Sequence, residues 1–176
     1  LLKSVSGESI VNFSLKIAEQ IEVAALALEQ GALVAFPTET VYGLGADATN
    51  DSAVARIFAV KGRPIDHPLI VHVAGVHDLD TWAVNVQSYV EKLAHRFWPG
   101  PLTLVVQRRT AIGSVAAGGA PTIALRCPEH PVARAVPRGA PAPDSPGLHR
   151  AGRRGWLLAG VPERPHGQLR SVPALG

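Results

Sequence analysis

The sequence predicts an α/β fold, with helices packed on a mixed β-sheet. Short, β-rich apolar runs alternate with stretches of helical periodicity, and Gly or Pro closes most of them. A length of 176 residues, 47% hydrophobic and 18% charged, suits one soluble globular domain with a real core.

The elements follow in order. From Ser14 to Gln30, Ile17, Ile21, Ala24, Ala25 and Leu28 recur with a 3.6-residue period, and Gly31 stands where a helix C-terminal glycine is expected. Ala32 to Phe36 is a short apolar run ended by Pro37, which reads as a buried strand. The stretch PTETVYGLGA then reads as a loop. Asp51 is placed to cap a helix whose Val54, Ile57 and Phe58 share one face, and Gly62 and Pro64 stop it. LIVHVA, Leu69 to Ala74, is a second strand. Val90, Leu93, Ala94 and Phe97 trace a helix face that WPGP terminates, and Leu102–Gln107 and Thr122–Cys127 are further strands. No internal repeat is visible.

Composition excludes several classes. No apolar run approaches the roughly 20 residues that span a bilayer, so a membrane protein is not expected. Leu1 to Gly31 lacks the pattern of a secretory signal, and the single cysteine, Cys127, allows neither an intrachain disulfide nor a cysteine metal cluster. A cytoplasmic location and no structural metal are therefore expected. The formal charge of +3 is lopsided: residues 137–176 hold six Arg against Asp144 and Glu163, leaving the first 136 at −1.

That last segment also changes character, with seven Pro and seven Gly in forty residues and no sustained periodicity. It reads as a disordered basic tail or as an out-of-frame translation of a GC-rich gene. The abrupt change after HPVARA favours the second.

Several residues could carry chemistry. PTETVYGLG offers hydroxyls, a carboxylate and two glycines after a buried strand, where α/β sheets bind ligands, although Thr38 or Thr40 could equally cap a solvated turn. Lys61 and Arg63 in KGRP could converge on a polyphosphate or simply complement a helix dipole. His72, inside an apolar run, needs a buried partner or a cavity wall. Arg126, at a strand end, needs water or an anion, and an amino-acid carboxylate would serve. Trp98 reads as packing in a rigid turn. Cys127, near Glu129 and His130, lacks an acyl-transfer constellation, and no residue is assigned as acid, base or metal ligand.

Taken together, PTETVYGLG, KGRP, LIVHV, WPGPLT and TIALRCPEHP occur in the order and approximate spacing of the YrdC-like family of threonylcarbamoyl-AMP synthases, which the chain resembles from about Ala24 to Ala135. The resemblance implies a twisted mixed sheet with flanking helices around a large, positively lined cavity. It implies a domain at 14–136, incomplete, and a separate Pro/Gly/Arg-rich segment at 137–176. It further implies a nucleotidyltransferase that makes threonylcarbamoyl-AMP and pyrophosphate from threonine, bicarbonate and ATP, with Mg²⁺ on the phosphates. The product would pass to tRNA threonylcarbamoyl-transferase proteins. By resemblance, Thr40, His72 and Arg126 would contact threonine, and Lys61, Arg63, His67 and Thr122 would face ATP, His67 standing where the family often has Asn. The family's Ser-Ala-Asn stretch after the HPVA helix is absent, and GAPAPDSPGLHRAG stands there instead. Two other readings compete with the enzyme: a double-stranded RNA-binding module, suggested by the tail arginines, and an inactive fragment of the synthase.

Overall fold

A computed structural model describes residues 19–37, 42–135 and 156–160. Helix α1 runs through residues 19–29 and buries Ala24, Ala25 and Leu28. Gly31, at φ 78°, ends it, and Ala32 N donates back to Ala27 O at 2.9 Å. Strands β1 (Val34–Pro37) and β2 (Tyr42–Asp47) pair antiparallel. The second half of the expected PTETVYGLGA loop is thus a strand. Its glycines give no apolar alternation, and antiparallel pairing with β1 supplies the order that side chains do not signal.

Helix α2 (Asp51–Lys61) is capped by Asn50, whose side chain accepts from Ala53 N at 3.2 Å, so the cap falls one residue before the expected Asp51. Asp51 instead sits in the first turn, where a carboxylate suits the helix dipole. Gly62, at φ 59°, closes the helix with Arg63 N donating to Phe58 O. After β3 (Ile70–His72), a 3-10 turn at Val76–Asp78 leads into the short α3 (Leu79–Trp82). Helix α4 (Ser88–Phe97) buries Val90 and Ala94, whereas Leu93 and Phe97 of the expected apolar face are exposed, with the Arg96 guanidinium over the Phe97 ring. Strands β4 (Thr103–Gln107) and β5 (Thr122–Arg126) and helix α5 (Pro131–Ala135) follow.

Within the segment whose composition signals no strand, Trp156–Gly160 forms β6. Five apolar or small residues, WLLAG, are too short a run to register against forty residues rich in Pro, Gly and Arg. The sheet order is β1-β2-β6-β3-β5-β4, so β6 lies between β2 and β3 and is antiparallel to both. Among the described strands only β3 and β5 pair in parallel, which makes the sheet mixed, as expected.

Alternation along the strands separates two faces. Leu44, Ala46, Val71, Leu104, Val106, Ile123 and Leu125 point into the main core, shared with Ile57 and Phe58 of α2 and with Trp82. The other face carries Ile70 and His72 of β3, Thr122, Ala124 and Arg126 of β5, and Thr103, Val105 and Gln107 of β4. At the β1 margin a smaller cluster of Ala24, Leu28, Val34 and Ala133 packs α1 and α5. Farther across, this face is open enough that Val105 is 68% exposed. Among the described residues no helix is long and apolar enough to cross a membrane.

Candidate functional site

The register brings together residues that lie far apart in sequence. His72 is the Cα partner of Arg126 across the parallel β3–β5 pair, and Arg126 is the partner of Thr103 on β4. Partners directly opposite one another put their side chains on the same face, with Cβ atoms roughly 5 Å apart. A row of His72, Arg126 and Thr103 therefore crosses the open face at the carboxyl ends of the two parallel strands. α/β sheets characteristically bind ligands at this end.

His72 is 6% exposed, and Arg126 and Thr103 are half-buried. Arg126 Nε donates to Gly100 O at 3.2 Å, while Gly100 N donates to Cys127 O at 2.9 Å. The WPGP turn is thereby locked to the end of β5 and aims the guanidinium. Trp98 stiffens the same turn by donating from its indole to Leu102 O at 2.7 Å. A side chain at Gly100 would bring a Cβ within 2.5 Å of Phe97 O, so the turn demands glycine. Sequence reasoning took WPGPLT for a rigid turn feeding a strand, with Trp98 as packing.

The remaining candidates gather at the other end of the same strands. Thr122 opens β5, four residues from Arg126 and on the same face, which separates the two by about 13 Å at the usual strand rise. Lys61 and Arg63 flank the C-cap of α2, and the chain runs through exposed His67 into β3 at Ile70. His67 Nδ1 lies 3.6 Å from Asp66 Oδ1. The 113–120 turn packs beneath this loop: Leu69 N donates to Ala116 O, and Gly118, at φ 61°, comes so close that an added Cβ would stand 2.5 Å from Asp66 O. Arg108 braces that turn, donating from its guanidinium to the carbonyls of Ala120 and Ile112.

Lys61 is half-buried, and its burial together with the neighbouring Arg63 guanidinium lowers its ammonium from 10.5 to about 8. A group in that condition gains from an anion that restores its charge. Thr40 falls in residues 38–41, outside those described; its neighbours Pro37 and Tyr42 pair at the Thr122 end of the sheet. Among the described residues no group of three or more His, Cys, Asp or Glu could hold a metal ion.

Fold and face define an α/β domain with one side of the sheet sealed by helices and the other bearing Arg126 with His72 and Thr103 at one end and Thr122 at the other. Residues 26–143 match the Sua5/yciO/yrdC family model, described as "Telomere recombination", and the chain belongs to this family. Threonylcarbamoyl-AMP synthase of Pyrococcus abyssi is 50% identical over 125 residues, which is 70% of this chain and 37% of that protein. The synthase of Bacillus subtilis is 46% identical over 120 residues, 68% of this chain and 35% of its own length. The chain thus spans little more than a third of these relatives. Among solved structures, P. abyssi Sua5 complexed with L-threonine superposes with a TM-score of 0.69 at 42% identity, covering 81% of this chain and 38% of that one. Escherichia coli YciO, at 20% identity and TM-score 0.64, shares the fold.

Proposed function

We propose that this chain binds threonine and ATP along the open face of its sheet and joins them, with bicarbonate, into threonylcarbamoyl-AMP and pyrophosphate. The observation that carries this reading is the pairing of His72 with Arg126 on the face that also bears Thr122, about 13 Å away along β5. That span suits an amino acid at one end and a nucleotide at the other. The relatives' shared name and the threonine complex of the P. abyssi protein support threonine as the amino acid.

In this scheme Arg126, its Nε already fixed by Gly100, takes the α-carboxylate of threonine through the rest of its fork, and His72 flanks the amino acid. Lys61, Arg63, His67 and Thr122 take the triphosphate and nucleoside; Thr40 is assigned to threonine by resemblance alone, and its flanking strand residues pair at the Thr122 end. Threonine's amine and bicarbonate condense to a carbamate with loss of water. A carbamate oxygen then bonds to the α-phosphorus as the bond to the bridging oxygen breaks, and pyrophosphate leaves. Two anions must approach each other, so charge neutralisation and positioning are the protein's main contributions, and no protein nucleophile is required. Mg²⁺ would enter on the phosphates of ATP. The mixed anhydride product would be consumed by a transferase that acylates an amine on tRNA.

Isothermal titration of the full chain with ATP, Mg²⁺ and threonine together tests the reading. ATP binding is expected to tighten when threonine is present, and threonine-dependent release of pyrophosphate should follow. Arg63→Ala is expected to weaken ATP binding about tenfold, by loss of a charge-assisted contact, while leaving threonine alone unaffected. Unchanged ATP affinity would remove Arg63 from the site, and absence of coupling between the two ligands would overturn the function.

A further inference from the structure

Thr103 belongs to no assignment made so far, yet its position singles it out. It opens β4 as the direct register partner of Arg126, on the open face and half-buried. Its neighbours along the strand on that face are Val105 and Gln107, so Thr103 supplies the hydroxyl beside the guanidinium. Among the described residues its hydroxyl meets no hydrogen-bond partner, although half-buried hydroxyls usually find one. The chain just before it is rigid: Trp98 holds Leu102 O, and Gly100 O holds Arg126, so strand start and guanidinium are fixed to the same turn. A β-branched residue at a strand start keeps few rotamers, which fixes where the hydroxyl points.

We propose that the Thr103 hydroxyl is a further substrate-binding group, donating a hydrogen bond to the α-carboxylate that Arg126 grips. This rests on the threonine reading given above. Arg126 alone fixes a carboxylate in a plane but leaves it free to tilt. A donor from the neighbouring strand, roughly 5 Å away at its Cβ, approaches from a second direction and removes that freedom. With His72 on the other side of Arg126, the carboxylate would be held from three consecutive positions of one row across β3, β5 and β4.

The test compares wild type, Thr103→Val and Thr103→Ser in the full chain by calorimetric titration with L-threonine and, separately, with Mg²⁺ and ATP. Valine preserves shape and strand preference but removes the hydroxyl; serine keeps the hydroxyl. Thr103→Val is expected to weaken threonine binding about tenfold, with ATP binding and melting temperature unchanged, and Thr103→Ser to bind threonine within about twofold of wild type. Wild-type affinity in a folded Thr103→Val overturns the inference and leaves the functional reading standing. Equal loss in the valine and serine variants also overturns it, since shape rather than the hydroxyl would then matter. If the wild type itself binds no threonine, the functional reading falls and the Thr103 contact with it.

Discussion

Leu125 and Arg126 are neighbours in sequence and inhabit opposite worlds. Leu125 is fully buried against the helices, in a layer with Ile123, Val71 and Leu104. Arg126 stands on the other face, tied to Gly100 and in register with His72 and Thr103. The same alternation runs through β4, where Leu104 and Val106 are buried while Thr103 and Val105 are not. Core packing and the proposed binding therefore fall on alternate residues of the same strands. A slip of one residue in register would exchange them.

The two faces can be set against each other by single substitutions. The largest expected effect is on the sealed face: Leu125→Ala should destabilise the domain by about 2–5 kcal/mol, read as a lower midpoint in urea. Arg126→Gln should leave that midpoint within about 1 kcal/mol and instead weaken threonine binding roughly thirtyfold, measured by calorimetry. If Arg126→Gln unfolded the chain, the guanidinium would be structural cement and the separation of faces would fail.

A smaller effect, but a sharper one, concerns Lys61. Its folded value of about 8 lies below the ordinary 10.5, so between these limits the unfolded chain holds a proton that the folded chain has released. Folding stability should consequently rise with pH from about 8 to 10.5, the penalty for the charged form being fully present below 8. Solvent reaches this side chain, and screening keeps the effect modest. ATP binding should run the other way, since a polyphosphate prefers the ammonium. Affinity should fall by up to about tenfold per pH unit above 8, and titrations at pH 9 in buffers of different ionisation enthalpy should show proton uptake. Lys61→Arg should abolish that uptake. Persistence of uptake in the arginine variant would move the titrating group elsewhere.

Much of this architecture was legible in the residues. Apolar periodicity located α2, β3, β4 and β5, and Gly31 and Gly62 marked the helix ends where backbone geometry requires a left-handed residue. KGRP, His72 and Arg126 stood out because charge and imidazole in those settings require partners. What stayed hidden depends on pairing across long sequence separations. Nothing local in LIVHVA or TIALR reveals that His72 and Arg126 stand side by side, because register emerges only when the 53 intervening residues have folded. Nor could the WPGP turn be seen to aim Arg126, since that depends on a backbone carbonyl. YGLGAD and WLLAG escaped notice as strands because glycine and brevity erase the alternation on which strand recognition rests.

The position of β6 bears on the order in which the molecule can be made. Strands β1 and β2 form one ribbon and β3, β5 and β4 another, and the backbone of Trp156–Gly160 is what joins them. A ribosome delivers both ribbons before it delivers the seam. Until residue 160 has emerged, the facing edges of β2 and β3 lack a bridging strand, and His72 lacks its neighbour on that side. Of the described strands the one latest in the chain thus sits at the middle of the sheet, and any change of reading in that stretch is felt there rather than at the rim.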